Sequence, residues 1–177
     1  MMLGLKASEP VEILCDDASR LSPAVFNAFL KPTFAVLCSG VIGLRFRQFT
    51  TANAQTLLPL VQKLPGLVSL ELLKGFTLDR DSMDVLSRLP KLAELAVDGF
   101  HSTDELPRQT VIEHLGSLKS LERLAVPRCF LLEREIDAVI EACNLVELGV
   151  ANAYDEDGQK AIQEKHEYCK IDWGFML

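Results

Sequence analysis

Residues 89–97 read LPKLAELAV, and residues 118–126 repeat the same pattern as LKSLERLAV. A third copy, LPGLVSLEL, covers residues 64–72. In each copy leucine recurs at every third position, and a Leu-x-hydrophobic pair ends the run. That final alternation is typical of a short β-strand with one buried face. The repetition therefore predicts that one strand-containing unit recurs along the chain.

The repeats keep a nearly constant spacing. The first hydrophobic residue of each terminal pair is taken as the anchor of its unit, and the six anchors are Leu44, Leu70, Leu95, Leu124, Leu148 and Ile171. Subtracting successive positions gives separations of 26, 25, 29, 24 and 23 residues. A period in the twenties indicates a solenoid in which each unit contributes one strand and one return segment.

The segments between the anchors carry apolar residues at helical spacing. Acidic residues at Asp79 and Asp81 suit the positive end of a helix dipole, and Asp155 is positioned to cap the last helix. The predicted helices cover residues 52–63, 78–89, 109–118, 132–143 and roughly 156–167. We therefore expect an α/β fold of about six strand–helix units, with a parallel concave sheet and helices on the convex side.

The repeats resemble leucine-rich repeats of the longer class, as in ribonuclease-inhibitor-like and F-box-associated proteins. The resemblance covers residues 38–173 and implies a solenoid that works by binding. The family usually has Asn or Cys three residues after the second strand hydrophobic, and here only Cys129 follows that pattern. Phenylalanines near this position are expected either as a stacked aromatic spine or as ordinary core, namely Phe49, Phe76, Phe100 and Phe130.

The chain is predicted to form one continuous domain. Residues 38–177 hold the repeats and a C-terminal cap, and residues 1–37 are interpreted as an N-terminal capping unit. Within that unit, Val11 and Ile13 fit a first strand, since Ile13 precedes the Leu44 anchor by 31 residues.

Composition points to the cytoplasm. The 177 residues are 49% hydrophobic, which is enough for one well-buried domain. The five cysteines form no close C-x-x-C pair, and their odd number favours reduced thiols. The first residues lack the pattern of a signal peptide, and no apolar run reaches the roughly 18 residues of a membrane span. A bacterial effector would instead act inside a host cell.

Charge bears on the kind of partner. The net charge is −7, which disfavours nucleic acid and anionic membranes because both require a basic face. Neither is expected as a partner. We therefore expect the binding partner to be another protein.

Strand positions that face away from the core are expected to form columns along the concave face. The first column ends in Glu94, Arg123, Glu147 and Lys170, whose signs alternate. Strands lie about 4.8 Å apart, so these side chains are expected to pair laterally. Such a ladder either holds the strand register or opens to admit a ligand between its charges, and the sequence leaves both readings open.

The next columns place a floor of small residues, Ala96, Ala125 and Gly149, between charged positions. This floor either admits a protein segment or reflects tight curvature. Arginine and aromatic residues are the commoner binding hot spots, which favours the rim beyond the strands. The predicted partner-binding residues are Arg45, Arg47, Leu73, Ala96, Asp98, Arg128, Asn152 and Tyr154.

Signals for chemistry are weak, and neither a cofactor nor a metal is expected. The sequence contains no HExxH, phosphate-binding glycine loop or G-x-S-x-G motif. His101 and Cys129 end neighbouring strands, but nucleophilic catalysis also needs an orienting group and an oxyanion site. The chain is therefore predicted not to be an enzyme.

The favoured function is a non-catalytic protein-binding module that uses the concave face and its C-terminal rim. The alternative is an adaptor or bacterial effector that recruits a target for another subunit, in which case residues 21–34 would serve as a docking helix. An enzyme with sites on its loops is the least favoured hypothesis. The sequence does not indicate an oligomeric state.

Overall fold

A single parallel β-sheet organises the chain in the computed structural model. The structure describes residues 11–15 as backbone and, beyond these, residues 24, 41–46, 49, 57–101 and 108–174. The strands are β1 (Val11–Cys15), β2 (Val41–Phe46), β3 (Ser69–Leu78), β4 (Glu94–Phe100), β5 (Arg123–Val126), β6 (Glu147–Val150) and β7 (Lys170–Trp173). They lie side by side in chain order, and every neighbouring pair is parallel.

From β3 onward, a helix returns the chain between each pair of successive strands. These helices are α1 (Arg80–Leu86), α2 (Arg108–Glu113), α3 (Glu133–Cys143) and α4 (Glu156–Lys165). A 3₁₀ turn, His114–Ser117, continues α2, and residues 57–61 are also helical. The expected α/β class is confirmed, since a parallel sheet and helices alternate along the chain.

The strand register follows the anchors. Leu95 lies opposite Leu70 on one side and Leu124 on the other, and Leu148 pairs in turn with Leu124 and Ile171. The strand expected around Ile13 also forms, with Ile13 opposite Leu44. Register is enforced because a slip of one residue would turn every anchor from the core to the opposite face.

One core joins the sheet to its helices. The anchors and their helix partners belong to the same buried cluster, so the described helices pack against one face of the sheet. Ile112 of α2 and Ile136 of α3 are fully buried there, as is Met83 of α1. Full burial of such a side chain stabilises the fold by about 1.5–3 kcal/mol, which makes this shared core the main source of stability.

Polar side chains set where the helices begin. The Asp79 carboxylate accepts from the Ser82 N–H at 2.7 Å and caps α1, and Asp155 accepts from the Gly158 N–H at 2.9 Å and caps α4 as predicted. At α3, Glu135 reaches back to accept from the Leu132 N–H at 2.9 Å. These bonds satisfy backbone donors that the first helical turn leaves without partners.

The aromatic residues divide between core and surface. Phe49 packs between Phe46 and Phe76, with ring centroids 5.1 and 5.3 Å away in tilted and edge-to-face arrangements, and Phe100 is also buried. Phe130, expected in the same spine, is 64% exposed. That expectation was wrong because residues 127–128 form a turn that directs Cys129 inward and its neighbour outward.

Candidate binding surface

The sheet face opposite the helices is the candidate site, and we call it the open face. No described helix packs against it, and the side chains of Arg45, Arg123 and Lys170 there are 52, 53 and 70% exposed. Purely parallel sheets usually have both faces covered. An open face on a parallel sheet therefore indicates a surface available to a partner.

Charged side chains form the predicted ladder across this face. Arg123 bonds to Glu94 on one side, and its Nε lies 3.6 Å from Oε2 of Glu147 on the other. Lys170 continues the row, with its Nζ 2.6 Å from Oε1 of Glu147. The hydrogen bond to Glu147 raises the pKa of Lys170 above its ordinary value. Exposed pairs of this kind contribute only about 0–1 kcal/mol each, so a partner could exchange with them at little cost.

Beside the ladder lies a depression of about 200 Å³. Its floor is made by Ala96, Ala125 and Gly149, which are lateral neighbours on β4, β5 and β6. Arg45 and Glu71 close one end as an ion pair with a 2.5 Å separation, and Asp172 of β7 stands at the other. Small side chains thus leave room between charged ends, as the sequence predicts.

Leu73 and Asp98 differ from their expected exposed positions, because each is 8% exposed. The pairing of β3 with β4 shifts after Leu72, and Lys74 and Gly75 adopt positive φ angles of 66° and 127°. The two N–H groups of this bulge donate to the Asp98 carboxylate, that of Lys74 at 3.2 Å. Asp98 therefore stabilises a backbone irregularity instead of projecting toward a partner.

Two predicted rim residues brace the loop between β6 and α4. The Tyr154 hydroxyl donates to the Leu131 carbonyl at 3.0 Å, and its ring lies 5.6 Å from that of Trp173. The Asn152 side-chain oxygen accepts from the Tyr154 N–H at 3.2 Å and from Gln159 at 3.1 Å. Burial raises the pKa of Tyr154, in keeping with an enclosed hydroxyl. The main role of these two side chains is therefore to hold the loop at the rim in place.

The predicted arginines have different surroundings. Arg128 is 60% exposed, and its Nε lies 3.7 Å from Oδ1 of Asp98, so it is a largely exposed cation of the rim that forms a long ion pair. Arg45 lies at the depression, where Ala96 also lies. Arg47 falls outside the described residues.

Two exposed apolar residues beside Arg128 were missed at the sequence level. Phe130 and Leu132 are 64 and 54% exposed in the segment that leads into α3. Arg108 holds this segment by donating to the Phe130 carbonyl at 3.0 Å and to Glu135 at 3.2 Å. Both residue types are common in cores, so composition offered no signal for their exposure.

Cys129 and the three histidines are the described groups considered for catalysis at the sequence level. Cys129 is buried, and burial raises the pKa of its thiol, which opposes formation of a nucleophilic thiolate. His101 is exposed, whereas His114 and His166 bond to Asp84 at 2.8 Å and Asp137 at 2.7 Å.

No group of three or more His, Cys, Asp or Glu side chains among the described residues is placed to hold a metal ion. No described helix has the length and apolar character needed to cross a bilayer.

No protein-family model matches the chain, and no curated protein matches it. A functional interpretation therefore depends on the open face itself.

Proposed function

We propose that this chain is a leucine-rich repeat solenoid that binds another protein, without catalysis, through the open face and its C-terminal rim. The repeat assignment is supported by leucines that recur every third residue and are buried in each copy, such as Leu89, Leu92 and Leu95. Strands that follow one another in chain order are what stacked repeats produce. In that arrangement the open face would be the concave one.

The observation that carries the binding proposal is a parallel sheet with one face that no described helix covers. Strands β2 to β7 are six adjacent strands of one sheet. The five spacings between them, each about 4.8 Å, make this surface roughly 24 Å wide. A surface built on paired strands is already ordered, so little conformational entropy is lost when a partner binds.

The size of the depression favours a protein over a small molecule. Its volume of about 200 Å³ lies below the roughly 300–1,000 Å³ of pockets that enclose small ligands. It is suited instead to one or two side chains that project from a larger partner.

Affinity capture with two matched variants tests the proposal. Ala125→Arg would place a bulky cation on the depression floor, and Ala161→Arg makes the same change on the exposed surface of α4. We expect a specific set of proteins, identified by mass spectrometry, to be captured by the wild type and by Ala161→Arg but lost with Ala125→Arg. Thermal unfolding should show that both variants fold. Equal capture by both variants would exclude the open face as the binding surface.

The remaining hypotheses stand as sequence-level predictions. The adaptor or effector alternative depends on residues 21–34, and the capping-unit assignment depends on residues 1–37. Apart from the β1 backbone and residue 24, these lie outside the described residues. A cytoplasmic location is likewise part of the proposal.

A further inference from the structure

We propose that the partner presents a basic segment to the open face, and that Asp172 receives one of its lysine or arginine side chains. This inference rests on the proposed function and specifies the chemistry of the partner. Its basis is the charge around the depression, a lining carboxylate that makes no ion pair with any described residue, and the space beside that carboxylate.

Acidic groups outnumber basic ones around the depression. Four carboxylates and two guanidinium groups line it, a formal balance of −2, and they are Glu71, Glu94, Glu147, Asp172, Arg45 and Arg123. Lys170, which pairs with Glu147 from outside the lining, reduces this balance to −1. One lining carboxylate is therefore left without a counter-charge among the described residues, so the depression favours an incoming cation and disfavours an incoming anion.

That carboxylate is Asp172. Three of the four lining carboxylates have arginine or lysine partners, whereas Asp172 makes no ion pair within 4 Å with any described residue. Its lateral neighbour is Gly149, which has no side chain to offer. Lys170 lies two residues earlier on the same strand, but its Nζ is held by Glu147 at 2.6 Å.

The floor provides the space that a long cationic side chain needs. Gly149 and Ala125 separate Asp172 from Ala96, and three strand spacings make this row about 14 Å long. Lysine and arginine bury their aliphatic stems on apolar surface while the charged end stays polar. A stem lying over Ala125 and Gly149 would bring its charge to the Asp172 carboxylate.

The extended conformation of a partner fits the same row. Side chains on one face of an extended segment recur about every 6.8 Å, so the row accommodates two or three of them. We expect a small or apolar residue over Ala96 and Ala125, followed by the basic residue at Asp172.

Peptide selection tests this chemistry without a known partner. A random heptapeptide phage library is selected on the immobilised full chain at low salt, and enriched sequences are compared with the unselected library. We expect lysine or arginine to be enriched at one position. Affinities of the selected peptides are then measured by fluorescence anisotropy on the wild type and on variants whose folding is verified by thermal unfolding.

Three variants separate the possible outcomes. Asp172→Asn should weaken the peptides about fivefold, the upper range for an exposed ion pair. Asp157→Asn, an exposed position on α4, should leave affinity unchanged. Replacing the peptide's basic residue with Gln should cost a similar factor on the wild type and little more on Asp172→Asn, because the two changes remove one interaction. That pattern would support the proposal.

Other results would overturn it in distinguishable ways. Ala125→Gln adds neutral bulk to the floor and reports whether a peptide uses the open face at all. Peptides that are sensitive to Ala125→Gln but lack a basic residue, or tolerate Asp172→Asn, would overturn the basic-segment inference and leave the proposed function intact. Peptides insensitive to Ala125→Gln, or no selected peptide, would count against both.

Discussion

At the residue scale, individual leucines differ in burial and therefore in their contribution to stability, although the sequence repeats them at regular spacing. Leu95 and Leu124 are 2 and 1% exposed, because alternate strand positions face the helices. Leu132, only eight positions beyond Leu124, is 54% exposed. Asp98 shows a similar contrast, since its carboxylate accepts two backbone N–H groups where the spacing predicted an exposed side chain. Local surroundings, and not residue type, decide each role.

Truncating a buried anchor should destabilise the fold strongly. Leu124→Ala is expected to lower the free energy of unfolding by about 2–5 kcal/mol, since it loses buried apolar contacts and leaves a cavity. Leu132→Ala is the matched control and should change it by about 0.5 kcal/mol or less. Urea denaturation followed by circular dichroism measures both. A near-neutral Leu124→Ala would contradict the role assigned to the anchors.

At the scale of elements, polar side-chain contacts join neighbouring helices. Asp137 of α3 lies 2.6 Å from the Lys165 Nζ at the end of α4 and 2.7 Å from the His166 ring. Burial alone would raise the pKa of Asp137. The hydrogen bonds from Lys165 and His166 outweigh that effect, so its pKa lies below the ordinary value. The ionised carboxylate is therefore the form that joins α3 to α4.

The contact between α3 and α4 should weaken in acid. Because the folded-state pKa of Asp137 is depressed, its contribution is complete above the unfolded pKa near 3.8 and is lost as pH falls through the folded pKa. Asp137→Asn should cost about 1 kcal/mol at pH 7, and the gap to the wild type should narrow toward pH 3. Urea denaturation at both pH values measures it.

Glu141→Gln, an exposed change on the same helix, provides the control and should show little difference at either pH. An Asp137→Asn deficit that is equally large at pH 7 and pH 3 would indicate lost packing instead of lost charge.

At the scale of the whole molecule, the described strands form one row, in which an interior strand has two neighbouring strands and an edge strand has one. At the β7 edge, the Gln163 side chain accepts from the Ile171 N–H at 2.9 Å and donates to the Cys169 carbonyl at 2.8 Å. An edge donor is thereby occupied, which discourages pairing with another chain. Because β7 has one neighbouring strand and the interior strands have two, local stability should fall from the interior of the row toward this edge.

Hydrogen exchange measured by mass spectrometry should reveal that gradient. Amides of β5 and β6 are expected to exchange more slowly than those of β7, because two neighbouring strands must open before an interior strand is exposed. Gln163→Ala should speed exchange around Ile171 and leave β5 unchanged. Uniform exchange rates across β5, β6 and β7 would instead indicate one fully cooperative unit.

The sequence by itself determined the strand register and its direct consequences. Alternation in each copy assigns Leu95 to the core and Glu94 to the open face, and lateral stacking then places Arg123 between Glu94 and Glu147. These inferences succeed because the side-chain period of a strand and the repeat length leave a single register that buries the leucines.

Only the tertiary structure decided the positions where regular strand geometry ends. The bulge at Lys74 and Gly75 buries Leu73 and engages Asp98, and the turn before Cys129 exposes Phe130. Tyr154 is held by a carbonyl 23 residues earlier in the chain, a contact that no local pattern encodes. Beyond the strands, side-chain direction depends on backbone turns and long-range hydrogen bonds, so alternation no longer predicts which groups a partner can reach.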